Sequence, residues 1–341
     1  MLSAPPFMEK TRINFVERKF NYFVSVEKVF RLVAAGLDPD SFETSFTQLP
    51  YLNDVSGMLK NLAFFRPPVE ADVYHVTGHC HYIALVLPPE KTVLTIHDLG
   101  FLHTRSGPRR SILKKLLLDW PLRRLKYVTA ISEATRDEIE QQVPEARGRI
   151  RVIQDPLDPD FTIETKKEFN SARPNILQVG TSANKNVSNL VEAIAGLDCR
   201  LTLVGELDGN LERHLRERNI DYQTRSELDN DALRREYEAA DIVSFCSIYE
   251  GFGLPIIEAQ GVGIPVVTSN IDPMKNVAGP DGAVLVDPHD PADIRKGIKS
   301  LMNDGELRRS VVEKGISNIE RFEKKKIAER YAELYREILP R

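Results

Sequence analysis

Glu250 and Glu258 stand eight residues apart in YEGFGLPIIEAQ (residues 249–260), on either side of Gly251, Gly253 and Pro255. Gly251 and Gly253 let backbone N–H groups approach a ligand with no Cβ in the way. Pro255 suits the first residue of a helix. The start of such a helix carries partial positive charge and favours a phosphate or diphosphate. The acids would repel those phosphates, so they are better suited to accept hydrogen bonds from sugar hydroxyls, as an acid does for ribose in dinucleotide folds. Glu258 is expected in the first helical turn and Glu250 at the exit of the apolar strand DIVSFCS (241–247). Strand, glycines, proline and both acids coincide, which a plain glycine-turned loop does not require.

The elements that must position these acids recur along the chain. INFVER (13–18), ADVYHV (71–76), KTVLTI (91–96) and YVTAIS (127–132) read as strands, and SVEKVFRLVAAGL (25–37) and SEATRDEIEQQV (132–143) as helices. Ser132 is placed to cap the second helix, which has acids in its first turn. The pattern restarts with strand PNILQVG (174–180), helix VSNLVEAIAGL (187–197), and strands RLTLVG (200–205), DIVSFCS and IPVVTSN (264–270). Strands alternating with helices predict parallel sheets. A length of 341 residues exceeds what one core usually supports. The expected architecture is therefore α/β, with two Rossmann-like doubly wound domains, 1–168 and 169–320, divided near the polar stretch ETKKEFNSARPN (164–175). A long amphipathic helix over 317–339 closes the chain, and the segment 321–341 is expected to return to the first domain. Ligands of such sheets bind at the carboxyl ends of the strands, here in an expected central cleft.

Composition removes several function classes. A net charge of −4 gives no global case for nucleic acid. No apolar run approaches the roughly 18 residues of a membrane span. MLSAPPFMEKTR lacks the apolar core of a secretory signal, and Cys80, Cys199 and Cys246 fit reduced thiols, so a cytoplasmic location is expected. No G-x-G-x-x-G follows a strand, which disfavours a nicotinamide dehydrogenase. Asp-x-Asp occurs at 38–40, 158–160 and 229–231, never at the end of an apolar strand, and reads as turns. HVTGHCH (75–81) gathers histidines around Cys80, but no second pair completes a zinc set.

EGFGLPIIEA, with its two acids in an E-x7-E frame, resembles the signature of retaining glycosyltransferases of family 4 (glycosyl transferases group 1), which adopt the GT-B fold. GIPVVTSN and VAGPDGAVLVDP downstream fit the same family, as do ILQVGTSANKN (176–186), TIHDLGF (95–101) and VTAISEAT (128–135) upstream. The likeness covers most of the chain from about residue 70, in the family's order. It implies a metal-independent transfer of a hexose-type sugar from a nucleotide-diphospho-sugar to a hydroxyl acceptor, with no cofactor, in glycan, polysaccharide or glycolipid synthesis. Glu250 would contact the donor sugar and Glu258 the ribose hydroxyls. The backbone amides of Phe252, Gly253 and Leu254 would face sugar and diphosphate. Lys185 would neutralise the leaving diphosphate, beside Gly180 and Thr181, where the family often has arginine in place of Thr181. His97, of the pair His97–Asp98, would sit beside the donor sugar; read alone, it is a loop histidine with Asp98 as a cap. The family's glycine-rich loop after the first strand is absent from VERKFNYFVSVEKVF (16–30), which leaves the acceptor open. A catalytically weak sugar-nucleotide-binding protein, or a sugar-nucleotide epimerase on the same fold, are the competing expectations.

Residues 105–126 hold eight Lys/Arg against Asp119 alone, a net +7 that leaves −11 for the remainder. Leu113, Leu116, Leu117 and Trp120 form an apolar stripe there. The segment suits either a core-packed helix with a solvated basic face or a peripheral contact with an anionic membrane or lipid-linked acceptor.

Overall fold

A computed structural model describes residues 9–19, 25–162 and 168–339. The chain forms two compact units, one made of residues 1–156 and 324–341, the other of residues 157–323. The first holds strands β1 (Thr11–Glu17), β2 (Phe42–Gln48), β3 (Val73–Val76), β4 (Thr92–Ile96), β5 (Tyr127–Ala130) and β6 (Ile150–Val152). They pair in the order β2-β1-β3-β4-β5-β6, all parallel. The second holds β7 (Asn175–Val179), β8 (Arg200–Val204), β9 (Tyr222–Arg225), β10 (Ile242–Phe245), β11 (Val266–Ser269) and β12 (Val284–Val286). Their order is β12-β11-β10-β7-β8-β9, again all parallel. Two doubly wound, Rossmann-like sheets with flanking helices are thus present, as the alternating pattern predicts.

The strands that the hydrophobic pattern leaves unread are β2, β6, β9 and β12, and these are the four sheet edges. An edge strand has a neighbour on one side only and needs no continuous apolar run. Central β4, by contrast, is buried along its whole length.

The boundary between the units falls at Pro156–Leu157 rather than within 164–175, of which residues 164–167 lie outside the described residues. Leu157 and Phe161 are already core residues of the second unit: the Leu157 amide donates to the Phe322 carbonyl at 2.8 Å, and Phe161 meets Tyr237 edge-on. The expected single helix over 317–339 is two helices, Gly305–Asn318 and Lys324–Ile338, with a 3-10 turn over Ile319–Phe322 between them. Phe322 is fully buried against Phe252, which anchors the turn in the second unit. The last helix then packs in the first unit on helix Ser25–Gly36, so closely that a Cβ on Gly36 would lie 2.8 Å from Ala328 Cβ. Tyr335 of that helix meets His75 of β3 at 2.7 Å. The basic segment forms helices Gly107–Lys114 and Trp120–Arg124, joined by a π-helical turn over Lys115–Asp119. Its leucine stripe turns inward: Leu117 is buried and Leu113 and Leu116 pack on the core.

Candidate functional site

In the second unit β7 and β10 are neighbours, with Ile242 opposite Ile176 and Val243 opposite Leu177. From β7 the chain builds outward through β8 and β9 in one direction, and from β10 through β11 and β12 in the other. Such a reversal opens a crevice at the carboxyl ends of the two central strands, where ligands of open α/β sheets bind. The loops leaving β7 and β10 carry the candidate residues.

The first loop runs from Gly180 through a 3-10 turn, Ala183–Lys185, into helix Val187–Ile194. Gly180 has φ +89°, and a Cβ there would lie 2.8 Å from Lys185 Cε. Thr181 is held by its hydroxyl, which donates to the Glu206 carbonyl at 2.5 Å. Asn186 adopts the left-handed conformation and donates through Nδ2 to the carbonyls of Cys246 and Pro288. The second loop leaves β10 and enters helix Leu254–Val262 at Gly253, whose φ of +115° lies in the left-handed half of the map. Phe252 turns its ring into the core, edge-on to Phe322.

Side chains lace the two loops together. Asn184 Nδ2 donates to the Tyr249 carbonyl at 3.0 Å and to Glu250 Oε1 at 3.3 Å, and the Asn184 carbonyl accepts the Ile248 amide. Lys185 Nζ donates to the same Glu250 Oε1 at 2.7 Å, with the two side chains 19% and 12% exposed. The ammonium also lies 4.6 Å from the Phe245 ring centroid, a cation–π contact. A half-buried cation and carboxylate thus sit side by side at the crevice. Such a pair can present positive charge to an anion and an acceptor oxygen to a hydroxyl within one small space.

Glu258 lies deeper than the pattern predicts. The helix begins at Leu254, with Pro255 as its second residue, which puts Glu258 in the second turn rather than the first. It is 9% exposed, and the Tyr237 hydroxyl donates to its Oε2 at 2.7 Å. Burial, reinforced by the Glu258 charge, pushes the Tyr237 phenol well up, so Tyr237 stays a donor. Tyr237, on helix Asn230–Ala239, and Asn184 were not singled out from sequence. The two asparagines around Lys185 in SANKN were the only local signal for Asn184.

His97 belongs to the first unit, at the end of β4, and is 3% exposed. Its Nε2 lies 2.8 Å from the Thr77 carbonyl, which can only accept, so Nε2 carries the proton. Burial, then repulsion from His79, pushes its pKa down to about 3, so the ring is neutral at any physiological pH. Asp98 accepts the Gly100 amide at 2.7 Å and shapes the turn after the strand. The neighbouring histidines are held separately: His75 between Tyr335 and Thr95, and His81 on the Leu117 carbonyl. Among the described residues no group of three or more His, Cys, Asp or Glu is placed to hold a metal. The first aspartate of each Asp-x-Asp accepts a backbone amide two or three residues on, at Asp40, Asp160 and Ala232, as turns do.

Sequence comparison bears on the same residues. The profile of the Glycosyl transferases group 1 matches residues 160–318, which contain both loops, and that of Glycosyltransferase Family 4 matches residues 37–161. The chain belongs to the group 1 glycosyltransferases. A relative in this family, the MMP alpha-(1->4)-mannosyltransferase of Mycolicibacterium hassiacum, is 30% identical over 200 residues, 55% of this chain and 48% of that protein. The O-antigen chain mannosyltransferase B of Escherichia coli is 27% identical over 258 residues, 68% of this chain and 67% of that protein. The chain therefore spans about half the length of the first relative. Anabaena HepE, solved in complex with UDP and glucose, superposes with a TM-score of 0.79 at 15% identity, covering 96% of this chain and 100% of that one. At that identity the likeness is one of fold, and the fold of this group 1 glycosyltransferase is GT-B.

Proposed function

We propose that this chain is a retaining, metal-independent glycosyltransferase that moves a hexose-type sugar from a nucleotide-diphospho-sugar to a hydroxyl acceptor in glycan or polysaccharide synthesis. The observation that supports this most is the Lys185–Glu250 pair at the crevice between β7 and β10. The names of the relatives agree: two transfer mannose, and HepE was solved with UDP and glucose.

In this reading the diphosphate meets the start of helix Leu254–Val262 near Gly253, and Lys185 offsets the charge that builds as it departs. Glu250 keeps Oε1 on Lys185 and Asn184 and offers Oε2 to a donor-sugar hydroxyl. Glu258, held by Tyr237, takes the ribose hydroxyls. The bond from the anomeric carbon to the phosphate oxygen breaks as the bond to the acceptor oxygen forms on the same face. The acceptor proton passes to the departing diphosphate. In the first unit His97, neutral and with Nε2 held by the Thr77 carbonyl, can accept a hydrogen bond at Nδ1 but does not move a proton, since its pKa of about 3 is far from the working pH.

The test is a thermal-shift screen of nucleoside diphosphates followed by a donor panel with and without candidate acceptor sugars. A saturating nucleotide at 100 times its Kd should stabilise the protein by about 2.7 kcal/mol. Acceptor-dependent release of nucleoside diphosphate supports transfer. Binding without release points to a sugar-nucleotide-binding protein, and donor isomerisation without acceptor to an epimerase.

A further inference from the structure

Among the described residues, exposed large apolar side chains gather in one part of the first unit. Helix Val55–Phe64 buries Gly57, Met58 and Asn61. Its outward arc carries Val55, Ser56, Leu59, Lys60, Ala63 and Phe64, with a single charge. Val55, Leu59 and Phe64 are 74%, 61% and 72% exposed. A surface helix ordinarily turns charged residues outward, so this arc is inverted.

The arc adjoins the basic segment. Asn61 of this helix donates at 2.9 Å to the hydroxyl of Tyr82, which stands in the turn His81–Leu85, and the same turn meets the Leu117 carbonyl through His81. Met58 and Leu117 belong to one core cluster. On the basic side Arg105, Arg109, Arg110, Lys115, Arg123 and Lys126 are exposed, and Ile112 and Trp120 are 63% and 49% exposed. Asp119, the segment's acid, is already paired with Lys114 at 2.7 Å. Arg123 lies 3.8 Å from Glu145, at the end of the segment. The inverted apolar helix and the basic segment, which carries more cations than the acids paired with it, therefore flank the same turn.

We propose that helix Val55–Phe64 and the segment 105–126 form one docking surface for an anionic lipid bilayer. The apolar arc enters the interface, and the arginines and lysines meet the headgroups, with Trp120 at the level where its ring is part wet and part apolar. The charge selects the partner: a second copy of this surface would bring two positive fields together, whereas an anionic bilayer supplies the opposite sign. The leucine stripe contributes to the core beneath, not to the bilayer. The inference is independent of turnover, so its failure would leave the transferase reading untouched.

The experiment is sedimentation of the full chain with vesicles of phosphatidylcholine alone and with about 30% phosphatidylglycerol, in low and high salt. We expect partitioning at least about tenfold higher onto anionic vesicles, lost in high salt. Leu59→Ser with Phe64→Ser should reduce it by about fivefold or more, and Arg109→Glu with Arg110→Glu should abolish it. Unchanged melting of both variants shows that the fold survives. Equal partitioning onto neutral and anionic vesicles, no binding to either, or binding indifferent to Leu59 and Phe64 overturns the proposal. So does light scattering that shows a dimer dissociated by the Leu59 and Phe64 changes, which would give this face to a second copy.

Discussion

Lys185 Nζ and Glu250 Oε1 lie 2.7 Å apart although 65 residues separate them in the chain. The reversal of strand order between β10 and β7 makes this contact, because it brings the ends of two distant strands together. Removing either partner should act differently on binding and on turnover. Lys185→Ala is expected to weaken nucleoside diphosphate binding about tenfold or more and to lower kcat/KM by about 100-fold or more. Glu250→Gln should leave nucleoside diphosphate affinity within a few-fold and still cut transfer by a similar factor. Calorimetry on both variants, beside steady-state transfer, checks this. Near-normal transfer by both would remove the pair from the site.

Tyr237 and Glu258 form a second dependency. Tyr237→Phe leaves a buried carboxylate without its phenolic donor, at a cost of about 1–3 kcal/mol in stability. With Glu258 on the ribose as proposed, it should also weaken binding of a nucleoside diphosphate several-fold while binding of pyrophosphate stays near wild type. If both ligands weaken equally, Glu258 does not read the ribose.

Gly180 and Gly196 offer a controlled comparison. Both have positive φ, +89° and +73°, so alanine at either incurs a strain of about 1 kcal/mol. Nothing lies within 4 Å of a Cβ on Gly196, whereas one on Gly180 presses on Lys185. The two alanine variants should melt at similar temperatures, and Gly180→Ala alone should lose nucleoside diphosphate affinity. Equal affinities would mean that the lysine chain yields without effect.

Asp155, in the first unit, is 4% exposed, and burial pushes its pKa up to about 7. In the unfolded chain an aspartate titrates near 3.9. Between those values the folded form keeps its proton while the unfolded form has lost it. Asp155 therefore stabilises the fold fully below about pH 4, and that contribution is lost as pH rises to about 7. Asp155→Asn should remove this slope. Urea unfolding at pH 5 and pH 8 should show the variant gaining on wild type more at pH 8, and an equal difference at both would contradict the assignment.

The central strands and the order of the loop motifs were legible because they depend on local patterns. A strand buried on both faces is largely apolar and β-branched, and a tight turn into a helix start favours glycine and proline at set offsets. The edge strands β2, β6, β9 and β12 escaped because half-solvated strands carry no such run. The break at Ile319–Phe322 escaped because the amphipathic pattern continues through it. Only the burial of Phe322 against Phe252 shows that the two halves of the pattern serve different cores.

By itself the sequence determined the α/β class, the family and the residues of the two crevice loops, since each is encoded in contiguous residues whose spacing sets backbone shape. Tertiary structure alone decided what those residues touch. It joined Lys185 to Glu250 and buried Glu258 under Tyr237. It withdrew Leu113, Leu116 and Leu117 into the core while leaving Val55, Leu59 and Phe64 outside. A side chain's exposure and partner depend on segments far away in the chain, and no local pattern carries that information.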